Sequence, residues 1–393
     1  MKNYLDLLEE INLYGDDHED RTGVGRRSIF STSLRFNMND GFPLVTTRKI
    51  SLNALVEETI WFLRGHNNVN LLNNKGVTIW DKWVLRKEHF KEFLINKFNN
   101  ITEEEINTIL EQNDDIIDTI GPLYGVSWRK LPGLYEIDQI PSTLDVPDYH
   151  PDPDVMREIE IAITEQNKHL DEFKKELEDS NDEEMIRKIE ELGGWDNFKE
   201  NTLKLSKERF LRAAWYGITD QLANLIYNLK TRPFSARHVI TAWIPEVLPI
   251  ESMTPEENVI HHRQALAPCH ILQIYHVTSP KNEGEKYRLN LQLTMRSNDV
   301  PIGTPYNIAQ YALILHLVAQ TVNMEANQLV LNCADSHIYH NQLDLIKEQL
   351  ERQPKELPTL ILDPKATVFN IQREHIKIEG YDPHPEIKYP VAK

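Results

Sequence analysis

The chain has 393 residues, two of them cysteine, and a formal net charge of −18. That balance opposes loose binding to nucleic acid, whose phosphates attract a basic surface, and no apolar run approaches the roughly 20 residues that span a bilayer. Two cysteines exclude a disulfide framework, and the opening MKNYLDLLEEINLYG lacks the charged start, apolar run and cleavage site of a signal peptide, so a cytoplasmic protein without membrane or nucleic-acid partners is expected.

Residues 22–36, TGVGRRSIFSTSLRF, alternate as a strand does, and 54–65, ALVEETIWFLRG, read as a short buried helix. Between Trp83 and Gly121, KEHFKEFLINKFNNITEEEINTILEQNDD has the character of an insertion. From about Tyr149 to Arg209, isolated apolar residues at helical spacing stand among Glu, Asp and Lys, which predicts a pair of solvated amphipathic helices. Residues 284–300, GEKYRLNLQLTMRSNDV, alternate again, and 307–324, NIAQYALILHLVAQTVNM, predict a longer helix. Neither an internal repeat nor a low-complexity linker occurs. The expectation is an α+β fold in a single domain over residues 1–393, with insertions at about 84–119 and 131–215.

Cys269 lies in QALAPCHILQ between a proline and a histidine. A cysteine is a nucleophile where positive charge lowers its pKa and inert where apolar side chains bury it. These residues alone leave both roles open, whereas Cys333 in VLNCADSHIY reads as core. Arg232 and Arg237 in TRPFSARH, Arg296 beside Ser297 in TMRSNDV, and Arg21 in DRTGVG are forks suited to a phosphate monoester, although each alone reads more readily as a surface ion pair than as a ligand contact. The clusters SNDVPIGTPYN and ADSHIYHNQ add amides, hydroxyls and imidazoles to otherwise apolar segments, as a small-molecule site requires. The scattered histidines lack metal-ligand spacing and no nucleoside triphosphate glycine loop is present, so neither metal nor ATP is expected.

The stretches DRTGVG, FPLVTTRK, EETIWFLRG, TIWDKW, GPLYGVSWR, TDQLANLIYNLKTRP, SARHVITAW, ALAPCH, MRSNDVPIGTPYNIAQY, ADSHIYHNQ and YDPHPEIKYPVA resemble, in order, those of the thymidylate synthase and deoxypyrimidine nucleotide hydroxymethylase family. The resemblance implies a large twisted mixed sheet with helices, a homodimer packed sheet to sheet, and one-carbon transfer from 5,10-methylenetetrahydrofolate to a pyrimidine nucleotide. It places Cys269 at the nucleophile position and implies phosphate contacts from Arg21, Arg296, Ser297 and Arg237, the last reaching into the partner subunit's site. Asn307 in TPYN matches the residue that reads the base; an amide suits uracil, whereas members acting on dCMP carry aspartate, so the implied substrate is dUMP. His337 and Tyr339 match the pair that binds the sugar hydroxyl. Glu58 matches the carboxylate that organises proton transfers, with Tyr124 and His270 as its polar neighbours. Trp80, Asp299 and Gly303 match folate-lining positions, Asp299 lies close to the substrate as well, and the chain end at Ala392 closes over the ligands.

Several positions depart from the synthase pattern: Met295 stands for a glutamine, Ala236 for one of two paired arginines, Ile244 for an asparagine and Ala334 for a glycine, while Lys393 puts a charge at the chain end. MRSNDV is also similar to the segment of phage-type hydroxymethylases. These changes lead to an expected dUMP hydroxymethylase making 5-hydroxymethyl-dUMP and tetrahydrofolate, in the host cytoplasm if phage-encoded, with thymidylate synthase as the alternative. A non-catalytic nucleotide- or RNA-binding descendant is disfavoured by the presence of Cys269, Glu58 and Asn307. A Cys-His hydrolase is disfavoured because adjacent residues seldom face each other.

Overall fold

The computed structural model describes residues 1–20, 22–132, 153–180, 182–216 and 218–392. They form two compact units, Met1–Arg129 with Asn224–Lys393, and Lys130–Ala223.

The larger unit is built on a seven-stranded mixed sheet, the α+β architecture expected. In spatial order its strands are Asp16–His18, Arg26–Asn37, Glu325–Tyr339, Arg288–Met295, His270–Thr278 and Val239–Thr241, and the short Asn298–Asp299 strand also pairs with Glu325–Tyr339. Arg288–Met295 and Asn298–Asp299 lie parallel to Glu325–Tyr339; the other neighbours are antiparallel. The register sets His270 opposite Met295, Met295 opposite Cys333, Asp299 opposite His337 and Arg26 opposite Tyr339. One end of the sheet therefore gathers the polar residues that sequence scatters over more than three hundred positions.

The central Glu325–Tyr339 strand is not among the expected elements. Asn327, Asn332 and Asp335 interrupt its apolar residues, and only Leu329, Leu331 and Cys333 keep the buried period of two.

Two helices position the site. Leu52–Leu63 begins where the Ser51 hydroxyl accepts the Ala54 N–H, and it ends at Gly65, whose φ of 68° lets His66 N–H close back on Trp61 O at 3.1 Å. Gly303–Thr321 is buried almost all round, with Ile308, Leu313, Leu315 and Leu317 fully enclosed, as an apolar core helix should be. It starts four residues before the predicted Asn307 because Asp299 Oδ1 accepts the Ile302 N–H at 3.2 Å, fixing the turn into the helix. A Cβ at Gly303 would stand 3.3 Å from Asn298 Oδ1, a tight contact that glycine avoids. The acidic stretch after Trp83 forms helices Lys87–Lys97 and Glu103–Gln112, the second opened by a Thr102–Glu105 capping box.

The smaller unit contains helices Pro153–Ser180, Glu183–Glu191 and Trp195–Tyr216 and the paired segments Leu131–Pro132 and Ile218–Thr219. Among the described residues three helices stand where the periodicity predicts two. Asp182 accepts the Met185 N–H as an N-cap, and Gly193 and Gly194 turn the chain at φ 94° and 87°, so the amphipathic run is broken. Phe173 meets Trp195 with ring centroids 6.1 Å apart, and Lys199 pairs with Asp171. Among the described residues no helix is long and apolar enough to cross a membrane.

Candidate active site

Cys269 occupies the bend leading into the His270–Thr278 strand and is half-buried. Its N–H donates to the Tyr124 hydroxyl and its carbonyl accepts the Arg296 N–H, each at 2.9 Å. The Arg296 guanidinium wraps the same bend: Nε donates to Pro268 O at 2.9 Å, Nη2 to Ala267 O at 2.8 Å, and Nη2 stands 3.9 Å from Cys269 Sγ. A cation fixed beside the sulfur favours the thiolate. Cys333, in contrast, is buried in the sheet, and burial pushes its thiol pKa up.

Tyr124 has φ 39°, a left-handed conformation that a tyrosine rarely adopts, and it aims the phenol at the cysteine bend. Its ring lies flat on the His270 imidazole, with centroids 3.8 Å and planes 6° apart. Burial pushes His270 down to about 3, so the imidazole is neutral at physiological pH. Its Nδ1 meets the Tyr311 hydroxyl at 2.5 Å.

Glu58 projects from the Leu52–Leu63 helix. It keeps some exposed surface, but its carboxyl end is enclosed, and burial pushes its pKa up to about 7 against the opposing pull of two neutral donors. Trp80 Nε1 donates to Oε1 at 2.8 Å and Gln310 Nε2 to Oε2 at 3.2 Å. Trp80 is one face of an aromatic wall with Trp61, Phe62, Trp83 and Tyr124. Asn307, one turn before Gln310 and Tyr311, points its Nδ2 at the Met295 thioether, 3.8 Å away.

A second cluster surrounds Asp335. Its Oδ2 accepts Arg26 Nη1 at 2.7 Å and Ser297 Oγ at 3.2 Å, and it lies 3.4 Å from His337 Nδ1. Burial works against ionisation, but His337, Arg26 and Ser297 together outweigh it and hold the carboxyl below its usual range. His337 and Tyr339 stand ring edge to face at 5.1 Å. Asp299, pushed up by burial, accepts Gln342 Nε2 at 3.2 Å, and the same amide donates to Pro390 O at 3.1 Å, seating the chain end next to Asp299.

A family model described as thymidylate synthase matches residues 2–393. The chain belongs to the thymidylate synthase family. It is 30% identical over 393 residues to the thymidylate synthases of Francisella tularensis subsp. holarctica strains FTNF002-00, OSU18 and LVS, with 100% of each chain covered.

Within this family member, Cys269, His270, Tyr124 and Arg296 share direct contacts, Glu58 is bonded to Trp80, and Ser297 and His337 meet at Asp335. Asp299 and Gly303 flank the start of the helix that carries Asn307. Ala392 is half-buried two residues beyond the seated Pro390. Arg237 is exposed, its N–H donating to Ser235 Oγ at 3.2 Å, and is not gathered with the cluster of its own chain. Arg21 and Lys393 lie outside the described residues; near the former, Asp20 accepts from Thr22 Oγ1 and Gly25 N–H. Among the described residues no group of His, Cys, Asp and Glu is arranged to hold a metal. The sequence reading missed Gln310, Tyr311, Arg26, Asp335 and Gln342. Gln310 and Tyr311 carry a readable signal: they are polar side chains at i+3 and i+4 from Asn307 on an apolar helix, so they share its face.

Proposed function

We propose that this protein transfers a one-carbon unit from 5,10-methylenetetrahydrofolate to carbon 5 of dUMP with Cys269 as nucleophile, giving thymidylate. The observation that carries the reading is the seating of Cys269, a half-buried thiol on a bend pinned by Tyr124 with Arg296 beside its sulfur. Carbon 5 of uracil is a weak nucleophile. Addition of the thiolate to carbon 6 pushes an electron pair into the ring as an enolate, whose carbon 5 attacks the donor methylene. Glu58, poised near neutrality, suits removal of the carbon 5 proton before the sulfur leaves.

In this reading Asn307 meets the uracil edge, His337 and Tyr339 take the sugar hydroxyl, and Arg296 and Ser297 the phosphate, joined by Arg21 and by Arg237 across a homodimer. Trp80, Asp299, Gly303 and Ala392 line the folate. Residues 84–119 and 131–215 are insertions in one catalytic domain.

Loss of the carbon 5 proton expels the folate by breaking its bond from nitrogen to the methylene, and the methylene left on the ring then takes either hydride from tetrahydrofolate, giving thymidylate and dihydrofolate, or water, giving 5-hydroxymethyl-dUMP and tetrahydrofolate, as the sulfur leaves carbon 6. Exclusion of water decides between them. The aromatic wall around Trp80, the chain end seated by Gln342 and the full-length similarity to proteins named thymidylate synthase support the hydride outcome. The hydroxymethyl outcome, which the substitutions by themselves favour, is the second reading and rests on Met295 against Asn307 and on Lys393. Ala236 and Ala334 are exposed on the chain and carry less weight for water entry. The test is incubation of dUMP with methylenetetrahydrofolate. Dihydrofolate and dTMP are expected; tetrahydrofolate with a product one oxygen heavier establishes the second reading, and no release of hydrogen from carbon 5 contradicts both.

A further inference from the structure

The Gly303–Thr321 helix presents Asn307, Gln310 and Tyr311 along one face, and the last two each hold a different side chain of the site: Gln310 holds Glu58 and Tyr311 holds His270. Tyr311 is fully buried, and among the described residues its hydroxyl meets His270 Nδ1.

One proton lies between the two atoms, and the surroundings decide its owner. Burial pushes the Tyr311 phenol up and His270 down, so both are neutral. If the imidazole donated from Nδ1, the phenol proton would be left without an acceptor in an enclosed site. If the phenol donates, its proton and the Nδ1 lone pair satisfy each other, and the imidazole proton sits on Nε2. The stacked Tyr124 ring and the Tyr311 ring, set nearly perpendicular with its centroid 5.3 Å from that of the imidazole, hold the ring plane in place.

We infer that Tyr311 is a positioning residue that locks His270 as the neutral tautomer protonated on Nε2, so that His270 acts as a hydrogen-bond donor to the reacting pyrimidine or its ordered water and not as a base. The role in the reaction rests on the proposed function; the tautomer does not. It leaves Glu58 as the proton acceptor of the pair.

The experiment is a long-range proton–nitrogen correlation spectrum of the full chain labelled with nitrogen-15 histidine. The chain has 15 histidines, and the signal of His270 is assigned by its loss in His270→Gln. A single Nε2-protonated tautomer, unchanged between about pH 5 and pH 9, is expected. Tyr311→Phe removes the donor, so the tautomers should mix, with kcat falling about three- to tenfold and KM for dUMP changing less than about twofold. Protonation on Nδ1 or an imidazolium in the wild type overturns the inference, as does a Tyr311→Phe variant with unaltered His270 signals and kcat. Should that variant fail to fold, the wild-type spectrum decides alone. A protein showing the expected tautomer but transferring no carbon to dUMP sinks the proposed function and leaves the tautomer assignment standing.

Discussion

Replacing Glu58 with glutamine tests whether the enclosed carboxyl is poised near neutrality. In the folded protein it titrates at about 7 instead of 4.5, and at about 1.4 kcal/mol per unit the displacement is worth about 3 kcal/mol. Because the folded pKa is raised, the native state retains a proton that the unfolded chain has already lost between these two values. Wild-type stability therefore carries a contribution that falls as pH rises from about 4.5 to about 7 and is constant above. Glu58→Gln lacks that slope. Its amide also faces two donors, Trp80 Nε1 and Gln310 Nε2, and can accept with only one atom, which adds a pH-independent cost of about 1 to 3 kcal/mol. Urea unfolding of both proteins at about pH 4.5, 6 and 7.5 should show the variant gaining up to about 3 kcal/mol relative to wild type across the series. Parallel stability curves would refute a raised Glu58. In activity, the limb of the wild-type kcat/KM profile near neutrality should be lost together with most of the rate.

Cys269→Ser should abolish covalent adduct formation while dUMP affinity, measured calorimetrically, stays within about tenfold, because the hydroxyl is the weaker nucleophile but occupies the same space. Asn307→Asp should move the ratio of kcat/KM values toward dCMP by about tenfold or more; an unchanged ratio removes the argument for uracil. Arg26→Ala strips the ionised Asp335 of its guanidinium beside Ser297, so it should weaken binding of dUMP more than of deoxyuridine. Equal effects on both would assign the ion pair a structural role alone.

Local periodicity made much of the scaffold legible. The strand expected within 22–36 forms as Arg26–Asn37 and the buried helix expected at 54–65 as Leu52–Leu63, where alternation and a dense apolar run place them. The Glu325–Tyr339 strand was hidden because its sheet-end residues serve the polar cluster, and polar function erases the pattern that burial writes. Contacts such as Arg26 with Asp335 were out of reach of any local reading: they join the second and the last strand of the sheet in chain order only through register. Gln310 and Tyr311 fall between these cases. Their helical phase with Asn307 was readable, but what each one holds depends on the Leu52–Leu63 helix and on the His270–Thr278 strand.

The most direct measurement is the intact mass of the protein after incubation with 5-fluoro-dUMP and methylenetetrahydrofolate, followed by peptide mapping. Fluorine at carbon 5 cannot leave as a proton does, so a thiolate addition product should accumulate. One nucleotide and one folate per chain, attached at Cys269 and absent from Cys269→Ser, is the predicted result. An unmodified Cys269 under conditions where both ligands bind contradicts the account.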